Sequence, residues 1–212
     1  MRARVLDLDA IAPVAVNDGA LHWLPVRRTL GVGGFGINAY TADAGQEVVE
    51  THDEDPGHQE LYAVLRGRAT FRSDEERFEA GAGSLVFYPD GDIVRGAEAL
   101  QDGTLVLAVG GNLGAPYEGA EWEHWFLAEP LMRAGQHEKA ASVLAAGLTE
   151  HPDNAPILLH LAAAQAQAGR LDEAQRNLTR ALELEGEEIA RRATEHLSDE
   201  LAPLRERPDW PL

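Results

Sequence analysis

Gly45 to Gly67 reads GQEVVETHDEDPGHQELYAVLRG, two apolar-alternating segments around an acidic connection that contains a proline and two histidines. Alternation with a period of two marks strands. The stretch therefore predicts strands over 46–52 and 59–65, joined by a loop over Asp53–Gly57. His52 and His58 share it with Glu47, Glu50, Asp53, Glu54, Asp55 and Glu60, the densest set of potential metal ligands in the chain. Residues two apart on a strand point to one face. Glu50 and His52 are thus expected to project together from the first strand, and His58 and Glu60 from the second. Imidazole and carboxylate donors suit Zn, Fe(II), Ni or Mn. Two or three protein ligands with open positions describe a catalytic site rather than a structural one. Histidines beside carboxylates on an exposed acidic loop need no metal, and spacing alone leaves that alternative open.

Further strands are expected near 21–28, 35–41, 68–72, 84–88, 92–97 and 104–109. Turn signals separate them at Asp43–Gly45, Arg66–Gly67, Ala80–Gly83, Pro89–Gly91 and Asp102–Gly103. Many short strands at regular spacing predict an all-β barrel or double-sheet jelly roll, architectures that limit exposed sheet edges. Gly31, Gly33 and Gly36 satisfy the dinucleotide fingerprint, but a strand and turn follow where that motif needs a helix to hold the pyrophosphate. They read as a glycine-rich bend.

The composition changes near residue 120, where Ala, Leu, Glu and Gln take over with helical periodicity. The linker NLGAPYEGAEW (112–122) is the expected boundary. The second half repeats itself at an offset of 34 residues: Gly135 with Gly169, Ala140 with Ala174, Leu144 with Leu178, Gly147 with Ala181, Leu148 with Leu182. Each unit reads as two helices around a glycine turn, the small residues letting the helices approach and the leucines filling between them. Pro152 stops one unit, and Asp153 or Asn154 caps the next. Trp122, Trp125 and Phe126 open this half. His124, His137, His151, His160 and His196 are scattered without ligand spacing and read as solvent-facing or packing residues.

The matched residues and their period resemble the tetratricopeptide repeat, over about 121–154 and 155–188, with 189–212 as a capping segment. Gly186 stands where that family's proline is expected. In the first half, Gly45, His52, Glu60 and Gly67 fall on the frame of the first cupin motif, and Gly83, Pro89 and Gly91 on that of the second. The resemblance covers most of residues 1–115. It implies a cupin-like double-stranded β-helix, a jelly-roll barrel, followed by a short helical repeat domain over 121–212: a multidomain β plus α chain. It also implies a homodimer, because cupin barrels commonly pair through sheet edges. The departures fall on ligands. Glu50 replaces a histidine, His58 sits inside a longer spacing between His52 and Glu60, and the second-motif histidine is Val94. What the resemblance leaves is a site of His52, Glu60 and either His58 or Glu50.

Among the other residues, Tyr62, Phe71 and Phe87 alternate with aliphatics and would line a small-molecule pocket if they face the barrel mouth. An inward Arg72 or Arg95 would clamp a substrate carboxylate; surface ion pairing is the alternative. The net charge of −18 is spread over both halves, with 19 acids against 9 bases in residues 1–120 and 17 against 9 in residues 121–212. Such a surface repels phosphate backbones and excludes nucleic acid as a partner. No apolar run approaches the roughly 18–20 residues that cross a bilayer. Asp7 and Asp9 interrupt what would be a signal peptide's apolar region. With no cysteine in the chain, the expectation is a cytoplasmic protein.

Two functions of different class remain. The first is a non-catalytic protein that binds a small molecule or metal and uses its helical module for protein contacts. The second is a metal-dependent enzyme resembling cupin isomerases, epimerases or dioxygenases and acting on a small acidic metabolite. In the second, Glu50 would be ligand or general base.

Overall fold

The computed structural model of the protein describes residues 3–16, 19, 21–208 and 210–212. The basic start, Met1–Arg2, and Asp209 of the capping segment lie outside them. The chain forms two compact units, Met1–Gly119 and Ala120–Leu212.

Among the described residues the first unit has ten strands: β1 Val14–Val16, β2 Leu21–Leu24, β3 Gly36–Ala42, β4 Glu47–His52, β5 His58–Arg66, β6 Arg68–Ser73, β7 Glu76–Gly81, β8 Leu85–Tyr88, β9 Arg95–Ala99 and β10 Thr104–Asn112. They make two antiparallel sheets, ordered β1-β2-β3-β10-β5-β8 and β4-β9-β6-β7. This is the expected jelly roll, open rather than closed into a ring. Its core lies between the sheets, where Val48, Val49, Tyr62, Val64, Phe71, Val86, Tyr88 and Val106 pack together. The central strand β10 reads as a continuous apolar run because both its faces are covered. Val106 and Ala108 enter the inter-sheet core, whereas Leu105 and Leu107 meet Leu24, Val26, Leu6 and Leu8 on the outside.

Two local expectations differ. The strand over 21–28 stops at Leu24, because Pro25 fixes its own φ and cannot donate to a ladder. A five-residue helix, α1 Val26–Leu30, follows and ends on Gly31 in the left-handed conformation. Strand β7 lies in ERFEAG, a segment too charged to read as a strand. It is the edge of its sheet, paired to β6 alone, and four of its six residues are exposed.

The second unit contains α2 Trp122–Arg133, α3 His137–Glu150, α4 Ala155–Gln167, α5 Leu171–Glu195 and α6 Ala202–Arg205. Helix α4 is apolar on nearly every face and buried along most of its length, as a helix in the middle of a stack must be. Asn154 is its cap, with Oδ1 accepting the Ile157 N–H at 2.9 Å. The 34-residue repeat is visible in the backbone. Gly135 and Gly169 turn with φ of +69° and +78°. His151 ends α3 at φ −126°, ψ 76°, and Glu185 breaks α5 at φ −138°, ψ 58°. Helix α5 is therefore two helices, and its second part belongs to the segment that follows the repeats.

His160 on α4 stacks on Trp125 with ring centroids 5.4 Å apart and planes within 10°. Burial, with the nearby charges of Arg192 and His196, pulls its imidazole down to about 4. The folded unit thus takes up this proton less readily than the unfolded chain, whose histidine titrates near 6.5. Stability from this group is present above pH 6.5 and is lost as pH falls toward 4. Discounted for the ring's partial exposure, the loss between pH 7 and pH 5 is about 1–2 kcal/mol. Thermal melts of the helical signal at the two pH values should show it, and His160→Phe, which keeps the stack, should flatten the dependence. An equal slope in the variant would assign the effect elsewhere.

Candidate functional site

The acidic, histidine-bearing stretch lies at one end of the space between the sheets. Strand β5 turns His58, Glu60, Tyr62 and Val64 to the same face. Glu60 lies opposite Gly110 of β10 and Tyr88 of β8. From the other sheet, β4 delivers His52 directly opposite Arg95 of β9. The pairing of β4 with β9 is irregular between Val49 and His52. Val48 and Val49 are both buried, and Glu50 and Thr51 are both exposed. This break in the alternation separates Glu50 from His52, which were expected to project together. Glu50 sends its side chain outward and contributes only its carbonyl, which lies 2.7 Å from His52 Nδ1. That contact leaves Nε2 facing inward.

The inward Nε2 lies 3.8 Å from Glu60 Oε2 and 3.8 Å from Glu54 Oε1. Ligand atoms of His52, Glu54 and Glu60 all fall within 4.8 Å of one another. Glu54 is the member that the sequence reading counted among the acids without assigning it a role. It comes in because the 53–57 loop folds onto the Pro89–Gly91 turn, where Glu54 N–H donates to the Gly91 carbonyl at 3.0 Å and Gly57 N–H to Asp90 Oδ1 at 3.1 Å. His58 shares the face of Glu60 but stands outside that set. Its Nε2 lies against Gly110, and its charge pulls against the burial that raises the Glu54 carboxyl.

Arg95 is wholly buried. Its guanidinium donates to Glu60 Oε2 at 3.2 Å, to the carbonyls of Asp90 and Gly91 at 2.8 Å each, and through Nε to Ile93 O at 3.1 Å. It also lies 5.0 Å from the centroid of the Tyr88 ring. Tyr62 OH donates to the same Glu60 oxygen at 2.6 Å. Burial alone would raise Glu60, but contacts from His52 and Tyr62 and the charges of His52 and Arg95 outweigh it and lower the carboxyl. Burial alone would lower His52, but Glu60, the Glu50 carbonyl and the charge of Glu54 reverse this and raise it. Burial, helped by Glu60, pushes the Tyr62 phenol well up.

The remaining pocket candidates lie elsewhere. Phe71 is fully buried core. Arg72 is half-buried and donates through Nε to the Asp74 carbonyl at 2.6 Å. Phe87 is 56% exposed, because β8 turns Val86 and Tyr88 inward and Leu85 and Phe87 outward. Tyr88 holds the inner position, edge-on to Tyr62 at 5.7 Å. Val94 presents no donor. Its backbone pins the start of the β7 hairpin, with N–H 3.1 Å from Asp74 Oδ1 and C=O 2.8 Å from Asp74 N. Arg66 and Arg68 pair on the surface with Asp9 and Glu79.

Residues 131–194 match the tetratricopeptide repeat family model. Among curated proteins none matches the sequence. Solved structures similar to the chain include a sugar phosphate isomerase of the cupin superfamily from Silicibacter pomeroyi, at 20% identity over 50% of this chain and 74% of that one, with a TM-score of 0.43. A predicted oxalate decarboxylase from Thermotoga maritima is similar at 18% identity over 52% of this chain and all of that one, with a TM-score of 0.43. A cupin protein from Bacteroides fragilis is similar at 21% identity over 55% and 89%, with a TM-score of 0.42.

The sequence resemblance to cupins leaves a reduced set of metal ligands, and the donor set can be tested for a metal. Donors about 2.0–2.2 Å from one ion lie up to roughly 4 Å apart, and the 3.8 Å separations meet that limit. One imidazole and two carboxylates fit a divalent ion with open positions. Opposing this, Arg95 already supplies a positive charge to Glu60.

Proposed function

We propose that the chain is a ligand-binding adaptor. Its jelly roll holds a small ligand or a divalent ion without turning it over, and its tetratricopeptide repeats make protein contacts. The observation that supports this most is the commitment of Arg95: four of its donors are spent on Glu60 and three backbone carbonyls. A guanidinium so engaged props the site instead of clamping a substrate. Glu60, shared between Arg95 and Tyr62, is held ionised as an ion-pair partner, whereas a general base needs a pKa near the working pH. His52, Glu54 and Glu60 would hold the ion, which would offer open coordination positions to an oxygen-bearing ligand. Self-association would use the outer strand β8, whose Leu85 and Phe87 are exposed on a sheet edge. No helix among the described residues is long and apolar enough to cross a membrane.

Titration with Zn(II), Mn(II), Fe(II) and Ni(II), followed by calorimetry and metal analysis, is expected to give in the jelly-roll unit one weak site that His52→Ala and Glu54→Ala both abolish. NMR of a panel of uronates, keto acids and sugar phosphates with the metal-loaded protein should show binding and no conversion. Turnover that disappears in His52→Ala would overturn the adaptor reading and establish the enzyme.

A further inference from the structure

Two histidines and a glutamate of the helical unit meet where α2 packs on the end of α3. Ligand atoms of His124, Glu150 and His151 lie within 4.8 Å of one another. His124 Nε2 is 3.6 Å from Glu150 Oε2, and the two imidazoles stand edge to face with centroids 5.7 Å apart. His124 is 2% exposed. His151 Nε2 is buried with no hydrogen-bond partner among the described residues, a state that costs stability unless something fills it. Glu150 is half open to water and supplies the way in.

The surroundings favour a cation. Glu150 and His151 end a 14-residue helix, whose last carbonyls carry partial negative charge, and no basic residue stands in its last turn. A carboxylate there gains nothing from the helix unless a positive ion joins it. The local backbone also makes room: a Cβ on Gly147 would come within 2.7 Å of the His124 ring, so glycine is what lets the ring lie against α3.

The repeat supplies its own control. Thirty-four residues on, Leu158, Leu184 and Glu185 occupy the places of His124, Glu150 and His151. Leu158 is buried core. Packing at the His124 position is therefore satisfied by leucine, and a histidine pair with a carboxylate is a departure that packing does not require.

We propose that His124, Glu150 and His151 form a second metal site, in the first tetratricopeptide repeat, for a divalent transition ion of the zinc class. Two imidazoles and one carboxylate select zinc, cobalt, nickel or copper over magnesium or calcium, and a water completes four-coordination. The ion ties the start of α2 to the end of α3, so the repeat is stabilised in proportion to the free ion concentration.

Cobalt(II) titration of full-length His52→Ala, which lacks the imidazole of the other donor group, separates this site from the jelly-roll site. One equivalent should develop the visible band of four-coordinate cobalt, zinc should displace it, and zinc should raise the melting temperature of the helical signal. Adding Glu150→Gln, a near-isosteric change at a half-exposed side chain, should weaken binding more than about tenfold, the lower end of what even outer-shell changes cost. His151→Gln should do the same. Absence of the band and of the zinc-dependent shift in His52→Ala overturns the proposal, as does a band that survives Glu150→Gln unchanged. In that event His124 and Glu150 form only an ion pair.

Discussion

Arg95→Ala is expected to destabilise the jelly-roll unit by about 3–5 kcal/mol, the usual cost of removing one partner from a buried ion pair. The reason is the charge left behind. Glu60 is only 12% exposed in its side chain, and without the guanidinium it keeps Tyr62 and a histidine 3.8 Å away. The carbonyls of Asp90, Gly91 and Ile93 lose their donor at the same time. A fall in melting temperature of roughly 10–20 °C should follow for a unit of this size. Acid sensitivity should shift as well. In the wild type Glu60 is held below its usual range, so its contribution is present above about pH 4.5 and is lost as pH falls through the lowered value. In the variant that loss should begin at higher pH. Arg95→Met with Glu60→Leu should recover part of the stability, since an apolar pair of similar volume often matches a buried ion pair. Arg95→Met alone should tighten divalent-ion binding at His52, Glu54 and Glu60, because the competing charge is gone. A loss below about 1 kcal/mol would show that the ion pair is not what holds the site.

Gly91→Ala is expected to do more damage than any single-methyl addition elsewhere in the unit. A Cβ there would sit 1.9 Å from the Asp55 carbonyl oxygen and 2.7 Å from that of Glu54. Both are backbone atoms that no rotamer change can move aside. The 53–57 loop must lift off the 89–91 turn, breaking the Glu54 N–H to Gly91 bond and the Gly57 N–H to Asp90 bond. Overpacking of this kind costs on the order of 3 kcal/mol, and the lifted loop takes Glu54 with it. The variant should therefore lose stability and divalent-ion binding together, whereas Glu54→Ala should lose binding and keep the melting temperature. Denaturant unfolding and calorimetry on the two variants distinguish these outcomes. Ion binding retained at full strength in Gly91→Ala would mean that Glu54 is not a ligand.

The legible parts of the sequence were those where one periodicity ran unopposed. Strands β5 and β10 are apolar enough to stand out, and they pair with each other near the centre of their sheet. The 34-residue offset reappears as matching backbone at Gly135 and Gly169 and at His151 and Glu185. Legibility failed where tertiary context overrode the local pattern. Strand β7 is charged because an edge strand faces water, and charge there also discourages pairing with other chains. The irregular pairing near Val49 turned Glu50 away from His52, and nothing in EVVETH signals where β4 falls out of step with β9. Glu54 entered the donor group through a long-range clasp between two loops. Its sequence trace is only the glycine at 91, whose neighbour across the fold is not written nearby. The His124, Glu150 and His151 group was readable in principle: setting the two repeats side by side puts a histidine where a core leucine belongs.

The segment after the kink at Glu185 has a bearing on assembly. Ile189, Ala193, Leu201 and Leu204 fill the apolar face that the last repeat would otherwise present, while Glu188, Arg191, Arg192 and Glu195 knit a charged lattice near the surface. A repeat array polymerises end to end only if its terminal face stays sticky. Here that face is already taken by the chain's own residues, so the stack cannot grow by adding another copy at this end.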